Sequence, residues 1–246
     1  MIMATHKRIF TFLFLSFFVM GCADYKEARQ ARKDGDYQKA LTQLTELSEF
    51  GHAPSQVELA RMYIRGEGIA KQPEKALPLL ESAAAKGEKK AYFELGRLYE
   101  RGAGTRQNTT LAIENYRLAA KAGYPQAAFY WARMLERGKV TPRDIPAAMS
   151  LYEASARAGY SRAALALAPY IAERGLLPDM DHSVDKDIYA LALYYAALVD
   201  DREVPSNALN DLEDRLSEAD RKKALSITET RYSGTNSVLP SYFLRH

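Results

Sequence analysis

The sequence has few of the residues on which most catalytic and metal sites are built. Its 246 residues include one cysteine and four histidines. One cysteine cannot form a disulfide within the chain or a paired-thiolate metal or redox site. The histidines stand apart at positions 6, 52, 182 and 246, and no HExxH, GxSxG or glycine-rich phosphate-loop motif is present. We therefore expect no enzyme activity, no catalytic residues, no metal site and no cofactor.

A strong excess of one charge is also missing. The chain has 34 lysines and arginines against 31 acidic residues, a formal net charge of +3. Lys7 and Arg8 lie in a segment that we expect to be removed, and losing these two positive charges leaves +1. Binding to nucleic acid normally requires a pronounced basic surplus. We expect no nucleic-acid partner.

The apolar run at residues 9–20 is too short to be an ordinary transmembrane helix. Twelve helical residues rise about 18 Å, whereas the hydrocarbon core of a bilayer is about 30 Å thick. Basic residues before a short apolar segment are typical of a secretory signal peptide. We expect residues 1–21 to be such a signal.

The end of this run, Val19-Met20-Gly21-Cys22, resembles the lipobox of bacterial lipoproteins. The resemblance implies that Cys22 becomes the acylated N-terminus of the mature protein, held on a membrane by at least two lipid chains. The next residue is Ala23 and not aspartate, which in that family implies the outer membrane of a Gram-negative bacterium, facing the periplasm. A plain signal peptide with an incidental cysteine is the alternative.

What the sequence does contain is a unit of 36 residues. Three sets of small residues recur at this interval: Gly66, Gly102 and Gly138; Gly87, Gly123 and Gly159; Ala76, Ala112 and Ala148. A fixed period of about 20–50 residues indicates stacked supersecondary units, each unable to bury its apolar face alone. The period therefore predicts a repeat architecture.

Each unit has the pattern of two helices joined by a glycine-rich turn. In the second unit the first helix is predicted from Glu88 to Arg101, because its apolar residues follow the spacing of one buried helical face. The turn Gly102–Gly104 supplies residues that accept positive φ. The second helix is predicted from Thr109 to Ala122.

This pattern resembles the Sel1-like repeat, a relative of the tetratricopeptide repeat. The matching residues are Ala91, Leu95, Gly96, Tyr99, Gly102, Gly104, Ala112, Tyr116, Ala119, Ala120 and Gly123. The resemblance implies an all-α fold, a right-handed superhelical solenoid of helical hairpins with the first helix of each pair on the concave side.

The resulting division has four parts. They are the signal at 1–21, a lipidated N-terminus with a tetratricopeptide-like hairpin at 22–52, four repeats at 53–88, 89–124, 125–160 and 161–200, and C-terminal capping helices with a tail at 201–246. The fourth repeat carries a loop insertion, and Pro169 is expected to bend or split its first helix. Within the loop, oxygen-bearing side chains stand at alternate positions, and we leave open whether they bind an ion or are solvated. They are Asp179, Asp181, Ser183, Asp185 and Asp187.

Arginines recur at the same 36-residue step on the first helices. The inner row is Arg61, Arg97 and Arg133, and the outer row is Arg65, Arg101 and Arg137. With Tyr92 and Tyr130 nearby, these residues form a candidate partner-binding stripe on the concave face, because aromatic rings among arginines suit recognition. A purely structural role for both rows is as well supported by the sequence as partner binding. The inner row can pair with Glu58 and Glu94 three residues earlier, and Glu100 and Glu136 lie three residues beyond Arg97 and Arg133. The outer row can offset the helix dipole.

The resemblance implies a function in binding proteins. Sel1-like lipoproteins act in exopolysaccharide export, and the N-terminal part of this chain resembles the alginate-secretion type. We expect a lipid-anchored interaction scaffold of the cell envelope whose partners are outer-membrane or periplasmic proteins. The alternative is a module that binds an anionic polysaccharide, such as a uronate polymer, or a cell-wall fragment.

Overall fold

The computed structural model describes residues 24–138, 142–178, 180–198 and 204–232. The predicted signal peptide, Cys22 and the tail from residue 233 lie outside this part of the chain. Within it, every regular element is helical, which confirms the predicted all-α class. No helix in the described ranges has both the length and the apolar character needed to cross a bilayer.

The helices are numbered α1 to α12 in chain order. They are α1 at residues 24–33, α2 Tyr37–Glu49, α3 Ala53–Arg65, α4 Pro73–Ala85, α5 Lys89–Arg101, α6 Thr109–Lys121, α7 Pro125–Arg137, α8 Ile145–Arg157, α9 Ser161–Arg174, α10 Lys186–Leu198, α11 Ser206–Arg215 and α12 Glu218–Ile227. A short π-helical segment, Thr228–Tyr232, follows α12. The chain divides into two compact units, one up to residue 115 and one from residue 116. From here on, the first unit and the second unit are these two parts, and each 36-residue segment is called a repeat.

The first unit is built on small residues where its helices meet. Ala60 of α3, Ala76 and Ala83 of α4 and Ala91 of α5 are completely buried, and Leu80 fills the space among them. Alanine lets neighbouring helices approach closely, and a fully buried leucine contributes about 1.5–3 kcal/mol. A second cluster joins α1 and α2 to α3. Each helix therefore packs against its neighbour in the chain.

The second unit is organised around α10. Every residue from Ile188 to Ala197 is buried, as expected for a helix that is apolar on all sides. α10 packs against α9 on one side and against α11, α12 and the π-helical segment on others. The elements after α10 therefore cover part of its apolar surface. Their role as a cap of the repeat stack stays a prediction.

In each of the first three repeats, the first helix ends in the same way. Gly66, Gly102 and Gly138 follow α3, α5 and α7 with φ between 62° and 73°, in the left-handed region. In each, the glycine N–H donates to the carbonyl four residues earlier. Glycine adopts this conformation without the steric cost that a side chain adds. The 36-residue glycine period thus marks the point where each hairpin reverses.

Two predicted helix boundaries differ from the structure by one residue. α5 begins at Lys89 and not at Glu88, and α6 ends at Lys121 and not at Ala122. Glu88 precedes α5 and caps it, because its carboxylate accepts a hydrogen bond from the Lys90 N–H at 3.1 Å. Pro169, which is expected to bend or split its helix, does not split it, since α9 runs unbroken from Ser161 to Arg174. Pro169 is exposed. Its ring therefore meets solvent, and only one helical hydrogen bond is lost.

We predict that Gly104→Ala destabilises the protein more than Gly87→Ala. Both glycines have positive φ, which costs alanine about 1–2 kcal/mol. A Cβ on Gly104 would also lie 2.3 Å from the carbonyl carbon of Pro73, a backbone atom that cannot turn aside, whereas a Cβ on Gly87 meets nothing within 4 Å. We expect overpacking to add about 1–3 kcal/mol at Gly104. Urea unfolding of both variants measures the difference, and equal losses would contradict the close packing of this turn.

Candidate functional site

Two buried glutamates lie beside the inner arginines of the first unit. Glu58 of α3 is 3% exposed and Glu94 of α5 is 2% exposed. Each lies three residues before an inner arginine, which places both side chains on one helical face. Arg61 Nη1 is 3.3 Å from Glu58 Oε1, and Arg97 Nη1 is 3.1 Å from Glu94 Oε2.

A third ion pair links the two helices. Arg61 Nε donates to Glu94 Oε1 at 2.7 Å, from α3 to α5. Arg32 of α1 adds a further cation, because its Nη1 lies 3.1 Å from Glu58 Oε2 and 3.4 Å from Glu67 Oε2. These contacts are ion pairs without an aligned hydrogen bond. We call Arg32, Glu58, Arg61, Glu94 and Arg97 the charge ladder. Opposite charges alternate along it across three helices.

The charge ladder answers part of the question that the sequence left open. Arg61 and Arg97 are neutralised by internal carboxylates, as the pairing alternative predicts. Tyr92 is half-buried and packs against the core of the first unit. Arg65 and Arg101, of the outer row, are exposed in the last turns of α3 and α5, and Arg65 Nη1 lies 3.2 Å from Glu67 Oε1. The role of these residues in binding a partner stays a prediction.

The third repeat has a different arrangement at the inner arginine. The residue three positions before Arg133 is Tyr130, where the first two repeats have glutamate. The Arg133 guanidinium lies 5.6 Å from the centre of the Tyr130 ring and 5.8 Å from that of Phe129. Within the part of the chain that the structure describes, no carboxylate comes within 4 Å of it. Arg137, one turn later, is exposed at the end of α7.

Glu136 of α7 accepts hydrogen bonds from two tyrosines. The Tyr152 hydroxyl of α8 donates to it at 2.8 Å, and the Tyr170 hydroxyl of α9 donates to its other oxygen. Burial, together with the bond to the Glu136 carboxylate, raises the pKa of both tyrosines above its usual value, so both hydroxyls remain protonated donors. This cluster joins three consecutive helices and was not predicted from the sequence.

A further buried carboxylate lies in α8. Glu153 is 3% exposed; Arg231 Nε donates to it at 2.7 Å and the Tyr232 hydroxyl at 3.0 Å. These contacts hold the π-helical segment against α8. Beside them is an open cleft of about 420 Å³ lined by Arg157, Tyr189, Ile227, Thr230 and Arg231. The sequence does contain a signal for this contact, since Glu153 falls among the apolar residues of the buried face of α8.

The acidic loop has internal partners for several of its side chains. Asp181 accepts hydrogen bonds from the Ser183 N–H and hydroxyl, and Asp187 pairs with Arg215 at 2.8 Å. Asp179 lies outside the described residues. Among the residues that are described, no group of three or more histidine, cysteine or acidic side chains is placed to hold a metal ion.

We predict that Glu94→Ala is strongly destabilising. Removing one partner of a buried ion pair costs about 3–5 kcal/mol, and here two arginines lose the same carboxylate. Glu46, exposed on α2, provides a matched control, for which Glu46→Ala should change the free energy of unfolding by less than about 0.5 kcal/mol. Chemical denaturation compares the two variants. A Glu94→Ala loss as small as that of the control would mean that the charge ladder contributes little to stability.

Two solved structures show the same fold. A protective antigen present in uropathogenic Escherichia coli strains, which displays an SLR fold, is 24% identical with a TM-score of 0.69, and the match covers 87% of this chain but 46% of that one. A Sel1 repeat protein from Oxalobacter formigenes is 20% identical with a TM-score of 0.67, and the match covers 85% of this chain and 87% of that one. No curated protein matches the sequence.

The family comparison gives the same result at the level of sequence. The Sel1 repeat model matches residues 53–88, 89–124 and 125–160. It does not extend to residues 161–200, so the fourth repeat stays a prediction, as does the division of the remaining segments. The chain therefore contains three consecutive Sel1 repeats, which lie at residues 53–160.

Proposed function

We propose that this protein is a lipid-anchored scaffold of the Gram-negative cell envelope that holds outer-membrane or periplasmic proteins together. The observation that carries the proposal is the run of three Sel1 repeats at residues 53–160, since this repeat typically forms a non-catalytic surface for protein–protein interaction. Stacked repeats contact only their neighbours in the chain, which leaves a long surface for partners.

Charge distribution favours a protein partner over a polyanion. Binding a uronate polymer or cell-wall fragment along the inner row requires a series of cations that are not already neutralised. In the first unit, Arg61 and Arg97 are committed to Glu58 and Glu94. The polyanion alternative therefore has fewer available cations than the sequence predicts.

The anchor and the location are proposals from the N-terminal sequence. Residues 9–22 combine a short apolar run with a lipobox-like end, and Ala23 follows the cysteine. This pattern supports acylation at Cys22 and retention on the periplasmic face of the outer membrane. A role in exopolysaccharide secretion rests on the resemblance of the N-terminal part to the alginate-secretion lipoproteins.

We predict that Cys22→Ser abolishes lipidation. Cells expressing the wild type should incorporate labelled palmitate into the protein and retain it in the membrane fraction, because two or more acyl chains give stable anchoring. The Cys22→Ser variant should carry no label and leave that fraction. Ala23→Ser, which keeps the cysteine, serves as the control. Absence of label from the wild type would refute the lipid anchor at Cys22 and would leave the proposed interaction function unaffected.

The scaffold itself is tested by capturing its neighbours. Cells expressing the tagged protein are crosslinked, the outer membrane is solubilised, and the protein is purified with whatever is attached. We expect a stoichiometric envelope protein that is lost with the mislocalised Cys22→Ser variant. Recovery of glycan without a stoichiometric protein would favour the polyanion alternative instead, and recovery of neither would contradict both functions.

A further inference from the structure

The three repeats provide an internal comparison at the inner arginine. In the first and second repeats the arginine follows a buried glutamate by three residues and forms an ion pair with it at 3.3 and 3.1 Å. In the third repeat, Tyr130 occupies the position of the glutamate, whereas the arginine is retained as Arg133. The third repeat thus retains the cation of the charge ladder without its carboxylate.

The surroundings of Arg133 orient its guanidinium without neutralising it. The group lies over the rings of Tyr130 and Phe129, at 5.6 and 5.8 Å from their centres. Aromatic rings attract a cation by their quadrupole and limit its motion, but they add no negative charge. An arginine held in this way loses little conformational freedom when it binds an additional partner.

The nearest acidic side chain on the same helix has other partners. Glu136 follows Arg133 by three residues, yet its oxygens accept the hydroxyl hydrogens of Tyr152 and Tyr170. No ion pair within 4 Å joins Glu136 and Arg133 in the described part of the second unit. Arg137 lies one turn beyond Arg133 on the same side of α7 and has contacts of its own, so Arg133 is the cation on which the proposed binding depends.

We propose that α7 carries the partner-binding anchor of this protein, in which Arg133 binds a carboxylate of an acidic segment of a protein partner while Tyr130 and Phe129 hold the guanidinium. The inference rests on the proposed scaffold function and specifies its site. Charge complementarity identifies the occupant, because a guanidinium with no carboxylate within 4 Å among the described residues suits a glutamate or aspartate side chain. Arginines flanked by aromatic rings are common among the residues that dominate interface energies.

A direct binding measurement tests the anchor without a captured partner. The probe is a fluorescent hexaglutamate peptide, compared with hexaglutamine, titrated against the full chain in detergent. We expect hexaglutamate to bind and hexaglutamine not to, and Arg133→Ala to weaken binding by about tenfold or more. Arg162→Ala removes the same charge from an exposed position on α9 and should leave the affinity unchanged.

The internal comparison supplies a second and sharper variant. Tyr130→Glu restores the spacing of Glu94 and Arg97, so the new carboxylate should pair with Arg133 and compete with the peptide. We expect peptide binding to fall as far as with Arg133→Ala, while Tyr130→Phe, which keeps the ring, should bind like the wild type. Circular dichroism and thermal unfolding confirm that each variant is folded, and Arg133→Gln replaces any variant that is not.

Two results of the peptide measurement would overturn the anchor. One is equal affinity of the wild type for hexaglutamate and hexaglutamine. The other is equal loss of binding with Arg133→Ala and Arg162→Ala, which would mean that net charge alone attracts the peptide. If the crosslinking experiment captures the same envelope protein from wild type, Arg133→Ala and Tyr130→Glu cells, the scaffold stands and the anchor at Arg133 fails. Preferential binding of an oligogalacturonate over hexaglutamate would assign the site to polysaccharide and reject the proposed occupant.

Discussion

The constraint on which the first unit depends is that a carboxylate removed from water must have charged or hydrogen-bonding partners. Glu58 and Glu94 are almost completely buried, and the arginines that satisfy them come from α1, α3 and α5. The alanines at the helix contacts are small and similar to one another, so their packing alone distinguishes poorly between one helix register and the next. A shift of one residue would separate Arg61 from Glu94 and leave a buried charge uncompensated. Together with the leucines packed among the alanines, the ion pairs therefore favour the observed register.

Much of the fold could be predicted from the sequence because its determinants are local. The 36-residue glycine and alanine steps locate hairpins and turns, and α6 begins at Thr109 as predicted. Contacts between distant residues could not be predicted in this way. Arg61 and Glu94 are 33 residues apart, and Arg231 and Glu153 are 78 apart, so each pair depends on how helices pack. The available signal was a glutamate on an otherwise apolar face, which must find a partner.

The candidate site shows the same division between local and distant information. The arginine rows were visible as a periodic pattern, but the pattern does not reveal which arginines are neutralised. That depends on one position in each repeat, which is Glu58, Glu94 or Tyr130. The break in the repeat at Tyr130 changes the electrostatic environment of Arg133 while the helix around it is kept. A repeat protein can thus alter one surface charge without changing the architecture that carries it.

The contact between α8 and the π-helical segment also bears on the order in which the chain can fold. The charge ladder of the first unit is complete once Arg97 has been synthesised, so that unit can form while the rest of the chain is still emerging. Two partners of Glu153, Arg231 and Tyr232, come almost eighty residues later. Until they are made, α8 lacks the contacts that hold the π-helical segment against it. We therefore expect the second unit to become resistant to proteolysis later than the first.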